Sequence, residues 1–188
     1  MDTQPRPQRI SEPDYLKGEL ASKVRHEYLG GHTYAMVGAS DRHNLIALNF
    51  ATALRPHVRG TSCQLFMSDM KLRLELSGDI VFYYPDLLLT CDPEDRATYY
   101  RTRPCLIVEV LSEATERIDR REKRLAYSTI ESLRAYVLLS QDRIQAEVYR
   151  PEEGWRGRTI QKGSIPVDCL NVAVPLSTVY EDVSLPSP

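Results

Sequence analysis

The sequence predicts an α/β sheet domain, and three observations carry this prediction. Two consecutive runs, "DLLLT" and "CLIVEVLS", are almost wholly apolar, as strands covered on both faces are. The charged run "SEATERIDRREKRLAYSTI" follows them and is typical of a helix that crosses between strands. Two further strand-like runs, "LRAYVLLS" and "IQAEVYR", come after it. Helices, strands and a helical crossover in this order indicate the α/β class.

The N-terminal part of the chain predicts a helix, a hairpin and a second helix. Ser11 is a candidate N-cap with Pro13 in the first turn, which favours a helix. Gly30 and Gly31 lie between two alternating runs, which is a hairpin signal. Ser40 is a candidate cap for the second helix. The alternating run "SCQLFMSDMKLRLEL" then predicts one strand, whereas the C-terminal "DCLNVAVPLSTVYEDV" is mixed and predicts no single element.

The length and composition indicate one ordinary globular domain. We expect this domain at residues 11–184 of the 188, between a disordered tail at 1–10 and a frayed tail at 185–188. The hydrophobic content of 42% fits this class. No apolar run approaches the ~20 residues that span a bilayer, and "MDTQPRPQRI" lacks the apolar core of a signal peptide. We therefore expect a cytoplasmic protein without a membrane partner.

The net charge of −2 gives no chain-wide attraction to nucleic acid. A polyanionic partner would have to be held by a local basic patch or by a bound cation. The run from Arg117 to Arg124, with five basic and two acidic residues, is a candidate patch. A solvated helix face is the commoner meaning of such a run.

Four cysteines, Cys63, Cys91, Cys105 and Cys169, are spread along the chain. None lies in a CxxC or CxxxxC pair, which disfavours a structural zinc site. Most of them lie in apolar, strand-like runs, where a cysteine usually acts as a small buried hydrophobe. We predict that all four are reduced.

Two carboxylates interrupt the apolar strands. Asp86 stands directly before three leucines, and Glu109 lies inside the next apolar run, 23 positions later. A buried charge is costly without a partner, and two like charges that face each other across paired strands repel unless a divalent cation lies between them. Oxygen ligands of this kind suit magnesium or manganese. The pattern therefore predicts a metal site at Asp86 and Glu109.

Each acid also has a structural interpretation. Asp86 alone would be a turn residue, and Glu109 alone would form a buried salt bridge with Arg103 or Lys123. Lys123 lies four residues after Asp119 on the same face of the predicted helix, from which its ammonium can point toward the strand ends. Two acids, a cation and a lysine make a site for phosphodiester hydrolysis.

The motifs "YYPD", "LIVEVLS", "D…EK…AY" and "AYVLL", in this order, resemble the Uma-type putative restriction endonuclease family of the PD-(D/E)XK nuclease superfamily. The similarity extends from "EPDYL" through "HEYLGGHTYAM" and "RHN" to "EVYR". This resemblance implies a restriction-endonuclease-like fold, with a central mixed sheet flanked by helices and an N-terminal helix and hairpin. It also implies an Mg²⁺-dependent endonuclease, active as a homodimer, that hydrolyses DNA phosphodiesters.

The resemblance also assigns the site residues. Asp86 and Glu109 correspond to the metal-binding acids of the superfamily. Glu27, in "HEYL", is identified with the acid that related nucleases place in an early element near the metal. An outward-facing glutamate on a hairpin is the structural alternative for Glu27.

The chain departs from the superfamily pattern at Leu111, where a lysine would stand two residues after the glutamate. Lys123 must then assist the attacking water from the helix, and Lys71 is the competitor for that role. The missing lysine keeps two other functions open: a catalytically inactive binding or assembly module, and an RNA-directed phosphodiesterase. His43, near a helix N-terminus, is a further phosphate-binding candidate, although such a histidine is more often a partly exposed polar residue.

Overall fold

The computed structural model describes residues 9–113 and 115–186. The strands, in chain order, are β1 (His26–Leu29), β2 (His32–Ala35), β3 (Gln64–Met67), β4 (Lys71–Leu76), β5 (Asp79–Tyr83), β6 (Leu87–Thr90), β7 (Tyr100–Arg101), β8 (Leu106–Leu111), β9 (Ala135–Ser140), β10 (Ala146–Tyr149), β11 (Arg158–Ile160), β12 (Ser164–Val167) and β13 (Val172–Pro175). The helices are α1 (Glu12–Ala21), α2 (Asp41–Val58), α3 (Glu116–Ile118), α4 (Arg124–Tyr127) and α5 (Leu176–Val179). A π-helical turn, Asp119–Lys123, joins α3 to α4, and the 3₁₀ turns are Pro151–Glu153 and Asp168–Leu170.

These strands form two larger sheets and one hairpin. The first sheet has the order β2-β1-β5-β4-β7, the second has the order β11-β10-β9-β8-β6-β3, and β12 pairs with β13. Both larger sheets contain parallel and antiparallel pairs, since β4 with β7 and β8 with β9 are parallel. The predicted α/β class with mixed sheets and flanking helices is confirmed.

The N-terminal elements form as the sequence predicts. The Ser11 side chain accepts a hydrogen bond from the Asp14 amide and caps α1. Gly30 and Gly31 have φ of 55° and 98°, a left-handed conformation that glycine adopts without steric cost, and they connect β1 to β2. Ser40 caps α2 by accepting from the His43 amide.

Strands β6 and β8 are neighbours inside the six-stranded sheet, and all their residues are buried. On one face, Leu87, Leu89 and Val108 belong to the cluster that also contains the buried side of α2. On the other face, the neighbouring apolar residues pack with Tyr127 and Tyr136. The prediction that these runs are strands covered on both faces is confirmed.

The predicted helical crossover is also confirmed, because β8 and β9 are parallel and helical turns lie between them. The first of these turns begins at Glu116. Before it, the Ser112 hydroxyl accepts a hydrogen bond from the Thr115 amide.

One strand prediction is wrong. The run "SCQLFMSDMKLRLEL" forms two strands, β3 and β4, which belong to different sheets. The break falls at Ser68, whose φ of 43° is incompatible with a continuing strand and whose amide donates to the Asp86 carbonyl. Both halves alternate in the sequence, which hides the turn between them.

The prediction of four reduced cysteines is also wrong for the state described. Cys63 bonds to Cys91 and Cys105 bonds to Cys169. The first pair is 28 residues apart and the second 64, so local spacing gives no indication of either.

None of the helices within residues 9–113 and 115–186 combines the length and the apolar character that a membrane crossing requires. The tail predicted at 1–10 falls outside the described residues except for positions 9 and 10, where the Ile10 amide donates to the Gly31 carbonyl. Of the tail predicted at 185–188, positions 187 and 188 lie outside the described residues.

Candidate active site

The pairing of β6 with β8 brings Asp86 and Glu109 together. The two strands are antiparallel with Leu87 opposite Val108, and one further step in this register sets Asp86 opposite Glu109. The Asp86 amide donates to Glu109 Oε2 at 3.3 Å, and the Val110 amide donates to Asp86 Oδ2 at 2.7 Å. The two acids are therefore linked through backbone donors rather than through direct contact between their carboxylates.

Lys123 lies at the centre of the other carboxylates. Its Nζ is 3.0 Å from Glu109 Oε1, 3.2 Å from Glu27 Oε1 and 3.2 Å from Asp119 Oδ1. Lys123 and Asp119 occupy the π-helical turn between α3 and α4 and are both buried. The structure thus unites Glu109, Lys123 and Glu27, three residues that the sequence singled out, and adds Asp119 to them.

Burial and charge act against each other at this cluster. Burial raises the pKa of Glu109 well above its usual range, and the nearby Asp119 and Asp86 carboxylates raise it further, against the opposing effect of Lys123. Burial alone would lower the pKa of Lys123, but the surrounding carboxylates raise it well above its ordinary value. The surrounding carboxylates therefore favour the protonated form of Lys123.

Aromatic side chains hold the cluster in place. Tyr127 donates from its hydroxyl to Glu109 Oε1 at 3.1 Å, and Tyr136 donates to the Asp119 carbonyl at 3.1 Å. Lys123 Nζ also lies 5.5 Å from the centroid of the Tyr83 ring, within cation–π range. The motif "AY", which carries part of the resemblance, thus supplies the hydroxyl that orients Glu109.

His43, which the sequence indicates only as a phosphate-binding candidate, contacts Asp86. Its Nε2 lies 3.1 Å from Asp86 Oδ2, because the start of α2 passes beside the end of β6. Burial opposes protonation of His43, yet the hydrogen bond and charge of Asp86 raise its pKa above the ordinary value. No local signal links His43 to Asp86, since the contact depends on how α2 packs across the sheet.

The remaining sequence candidates lie elsewhere. Lys71 contacts the Tyr99 carbonyl at 3.4 Å and forms no ion pair among the described residues. Arg103 pairs with Asp92 at 2.9 Å rather than with Glu109. Leu111, at the position of the superfamily lysine, is buried in the apolar cluster around Tyr127.

The oxygens of Asp86 and Glu109 fit a hard divalent cation. The contacts of Asp86 with His43 and Val110 both involve Oδ2, and those of Glu109 with Lys123 and Tyr127 both involve Oε1. Glu109 Oε2 accepts a long hydrogen bond of 3.3 Å from the Asp86 amide. The candidate ligand atoms are therefore Asp86 Oδ1 and this Glu109 Oε2. Two carboxylates suffice for Mg²⁺, which keeps several waters and takes further oxygens from phosphates. The buried Asp119 Oδ1 has no hydrogen-bond partner among the described residues, although Lys123 Nζ lies 3.2 Å away, and it adds negative charge near the site.

A mixed sheet with two acids on neighbouring strands, followed by a helical segment that supplies a lysine, defines a restriction-endonuclease-like protein. The family model Uma2, described as "Putative restriction endonuclease", matches residues 13–176. The chain therefore belongs to this family, as the motifs indicate.

Two curated proteins and one solved structure are similar to this chain. An uncharacterized protein of Synechocystis sp. is 35% identical over 146 residues, which cover 77% of this chain and 76% of that protein. A second uncharacterized Synechocystis protein is 28% identical over 75% of this chain and 80% of its own length. The crystal structure of "a putative nuclease belonging to DUF820" from Anabaena variabilis has the same fold, with a TM-score of 0.72 at 15% identity, covering 91% of this chain and 97% of that one.

Proposed function

We propose that this protein is a magnesium-dependent endonuclease that hydrolyses DNA phosphodiester bonds. The observation that carries the proposal is that Glu109, inside β8, contacts both the Asp86 amide at the start of β6 and the Lys123 ammonium. Family membership and the nuclease described for the structural neighbour support the same reaction class. Manganese is expected to replace magnesium, since both prefer oxygen ligands.

In the proposed mechanism, Asp86 and Glu109 would hold the cation through one carboxylate oxygen each. The ion, when bound, lowers the pKa of a coordinated water and neutralises charge that develops on the phosphate. Lys123 orients the attacking water or stabilises the transition-state phosphate with its ammonium. His43 and Tyr127 act as positioning residues, because they hold the carboxylates of Asp86 and Glu109 through hydrogen bonds.

The exposed part of the helical crossover suits a phosphate backbone. Arg117 and Arg121 are exposed on the segment that carries Lys123, while Arg120 is engaged by Glu116 and Glu147. Arg117 and Arg121 form no ion pair within the described part of the chain. They are the candidates for sequence-independent phosphate contacts, which dominate nucleic-acid affinity at low salt. We further propose a homodimer, because cutting both strands of a duplex requires two active sites.

The test is cleavage of supercoiled plasmid DNA by the full chain with Mg²⁺ or Mn²⁺. The wild type is expected to nick or linearise the plasmid, and a chelator should stop the reaction. Asp86→Asn should lower the rate at least about 100-fold, the scale seen when one group that stabilises transition-state charge is lost. Asp92→Asn is the matched control, since Asp92 follows the opposite end of β6 and pairs with Arg103.

Two results would contradict the proposal. If neither the wild type nor Asp86→Asn cleaves single- or double-stranded DNA with either metal, the protein is not a nuclease acting on DNA. If the protein cleaves RNA but not DNA, and Asp86→Asn abolishes that cleavage, the protein is an RNA-directed phosphodiesterase instead.

An inactive binding module is the second candidate, favoured by Leu111 at the usual lysine position. Calorimetric titration with Mn²⁺ separates it from the enzyme. An active site should bind Mn²⁺ and lose that binding in Glu109→Gln. A scaffold without chemistry should show no binding that depends on Glu109.

A further inference from the structure

All four cysteines meet at the end of the central strands opposite to the acids. Cys63 precedes β3 and Cys91 follows β6, and one step beyond the observed pairing of Gln64 with Thr90 sets them opposite each other. Cys105 precedes β8, and its amide donates to the Leu89 carbonyl at 2.8 Å. Cys169 comes from the 3₁₀ turn between β12 and β13. Four separated segments therefore bring one cysteine each to the same end of the sheet, and Cys63 joins the other three through its bond to Cys91.

The two disulfides lie close enough to form a single cluster. Cys91 Sγ is 3.8 Å from Cys105 Sγ, although these residues belong to different disulfides. Among the described residues, Cys91, Cys105 and Cys169 are the one set of three potential metal ligands whose donor atoms all lie within 4.8 Å of one another. Four thiolates around zinc at about 2.3 Å lie about 3.8 Å apart at the corners of a tetrahedron. The spacing between the two pairs thus suits zinc.

The surroundings of the cluster favour a closed structural site. Cys105 is buried, and the other three cysteines pack against the same apolar core cluster. A cavity of about 750 Å³ reaches Cys63 and is also lined by Arg55, Arg59 and Arg96.

We propose that the reduced chain binds one zinc ion through Cys63, Cys91, Cys105 and Cys169. Reduction by a dithiol reductant supplies two electrons and two protons to each disulfide and yields four thiols. Binding of zinc then releases the thiol protons. In a reducing compartment, the ion would hold the ends of β3, β6 and β8 together, as the two disulfides do in the oxidised state. This role is independent of the proposed nuclease activity.

The test uses the full chain, purified with a reductant and without a chelator. Elemental analysis should find one zinc per chain, and the metal-free reduced protein should bind Co²⁺ with the absorption of tetrahedral thiolate coordination. Zinc should displace that absorption at one equivalent. Cys105→Ser and Cys169→Ser should each weaken Co²⁺ binding by more than the ~10–100-fold that loss of an outer-shell partner costs. Ser62→Ala, next to Cys63, is the control and should bind as the wild type does.

Two controls accompany this test: circular dichroism checks that each variant is folded, and Glu109→Gln checks that the metal is not bound at the candidate active site. Each cysteine variant is compared at a temperature where its circular dichroism matches the folded wild type, and Glu109→Gln should retain the cobalt absorption in full. The proposal is overturned if the folded, reduced wild type takes up no zinc or cobalt. It is equally overturned if the cobalt absorption persists in both cysteine variants or disappears in Glu109→Gln.

Discussion

Lys123 and Lys71 are equally buried, at 5% exposure each, yet they lie in opposite surroundings. Three carboxylate oxygens lie 3.0–3.2 Å from Lys123 Nζ. Lys71 Nζ instead lies 5.3 Å from the centroid of the Tyr84 ring and donates to the Tyr99 carbonyl. Of these two lysines, Lys123 alone has carboxylate oxygens within ion-pair distance among the described residues.

The two pKa values follow from this difference. Burial acts to lower the pKa of both lysines, and at Lys71 it prevails. At Lys123 the charges of Glu109, Asp119 and Glu27 prevail and raise the pKa. Burial alone therefore does not select the lysine of the candidate site, and the position of the carboxylates does.

Removal of the Lys123 ammonium from the surrounding carboxylates should have the largest effect on stability. Lys123→Met should lower the free energy of unfolding by about 3–5 kcal/mol, because it leaves Glu109 and Asp119 buried without a countercharge. Urea denaturation measures this change. Lys17→Met, at an exposed position of α1, is the control and should stay within about 0.5 kcal/mol of the wild type. A loss at Lys123 no larger than at Lys17 would mean that the ion pairs contribute nothing.

Removal of one carboxylate should have a smaller effect. Glu27→Gln should cost about 1.5–3 kcal/mol, the scale of a hydrogen bond to a charged group, since Glu109 and Asp119 still pair with Lys123. The same urea denaturation measures it. An unchanged stability together with full plasmid cleavage would show that Glu27 belongs to neither the ion-pair cluster nor the active site.

Lys71→Met should change stability least and in the opposite direction. Methionine removes a buried cation without a carboxylate partner, so we expect no loss and a gain of up to about 1 kcal/mol at neutral pH. Plasmid cleavage should be unaffected. If Lys71→Met loses cleavage while a folded Lys123→Met retains it, then Lys71 rather than Lys123 is the catalytic lysine.

The pH dependence of stability distinguishes the same two residues. Because the folded-state pKa of Lys71 is lowered, the unfolded chain binds more protons between that pKa and the ordinary value of about 10.4. Stability of the wild type relative to Lys71→Met should therefore rise with pH in the alkaline range below about 10.4. Denaturation curves of both proteins at several alkaline pH values test this, and a constant difference would contradict the lowered pKa.

The sequence predicts the parts of the molecule whose signals are local or strongly periodic. The apolar runs around Asp86 and Glu109 identify β6 and β8, because strands covered on both faces need uninterrupted apolar residues. The capping serines and the Gly30-Gly31 turn likewise identify the N-terminal elements. From these pieces the two acids could be expected to meet.

The features that the sequence did not predict depend on long-range packing. The contact of His43 with Asp86 requires the placement of α2 across the sheet. The cysteine pairs form through strand register and through a distant hairpin. The π-helical turn that directs both Asp119 and Lys123 inward has no distinct periodicity in a run of charged residues.

The central claim, that Asp86 and Glu109 jointly hold a divalent cation, is tested most directly by crystals of the full chain soaked in Mn²⁺. The account predicts an anomalous difference peak about 2.1 Å from one oxygen of each carboxylate, and its disappearance in Glu109→Gln crystals. A map without that peak, with Asp86 still held by His43 and Glu109 still held by Lys123, would contradict the claim.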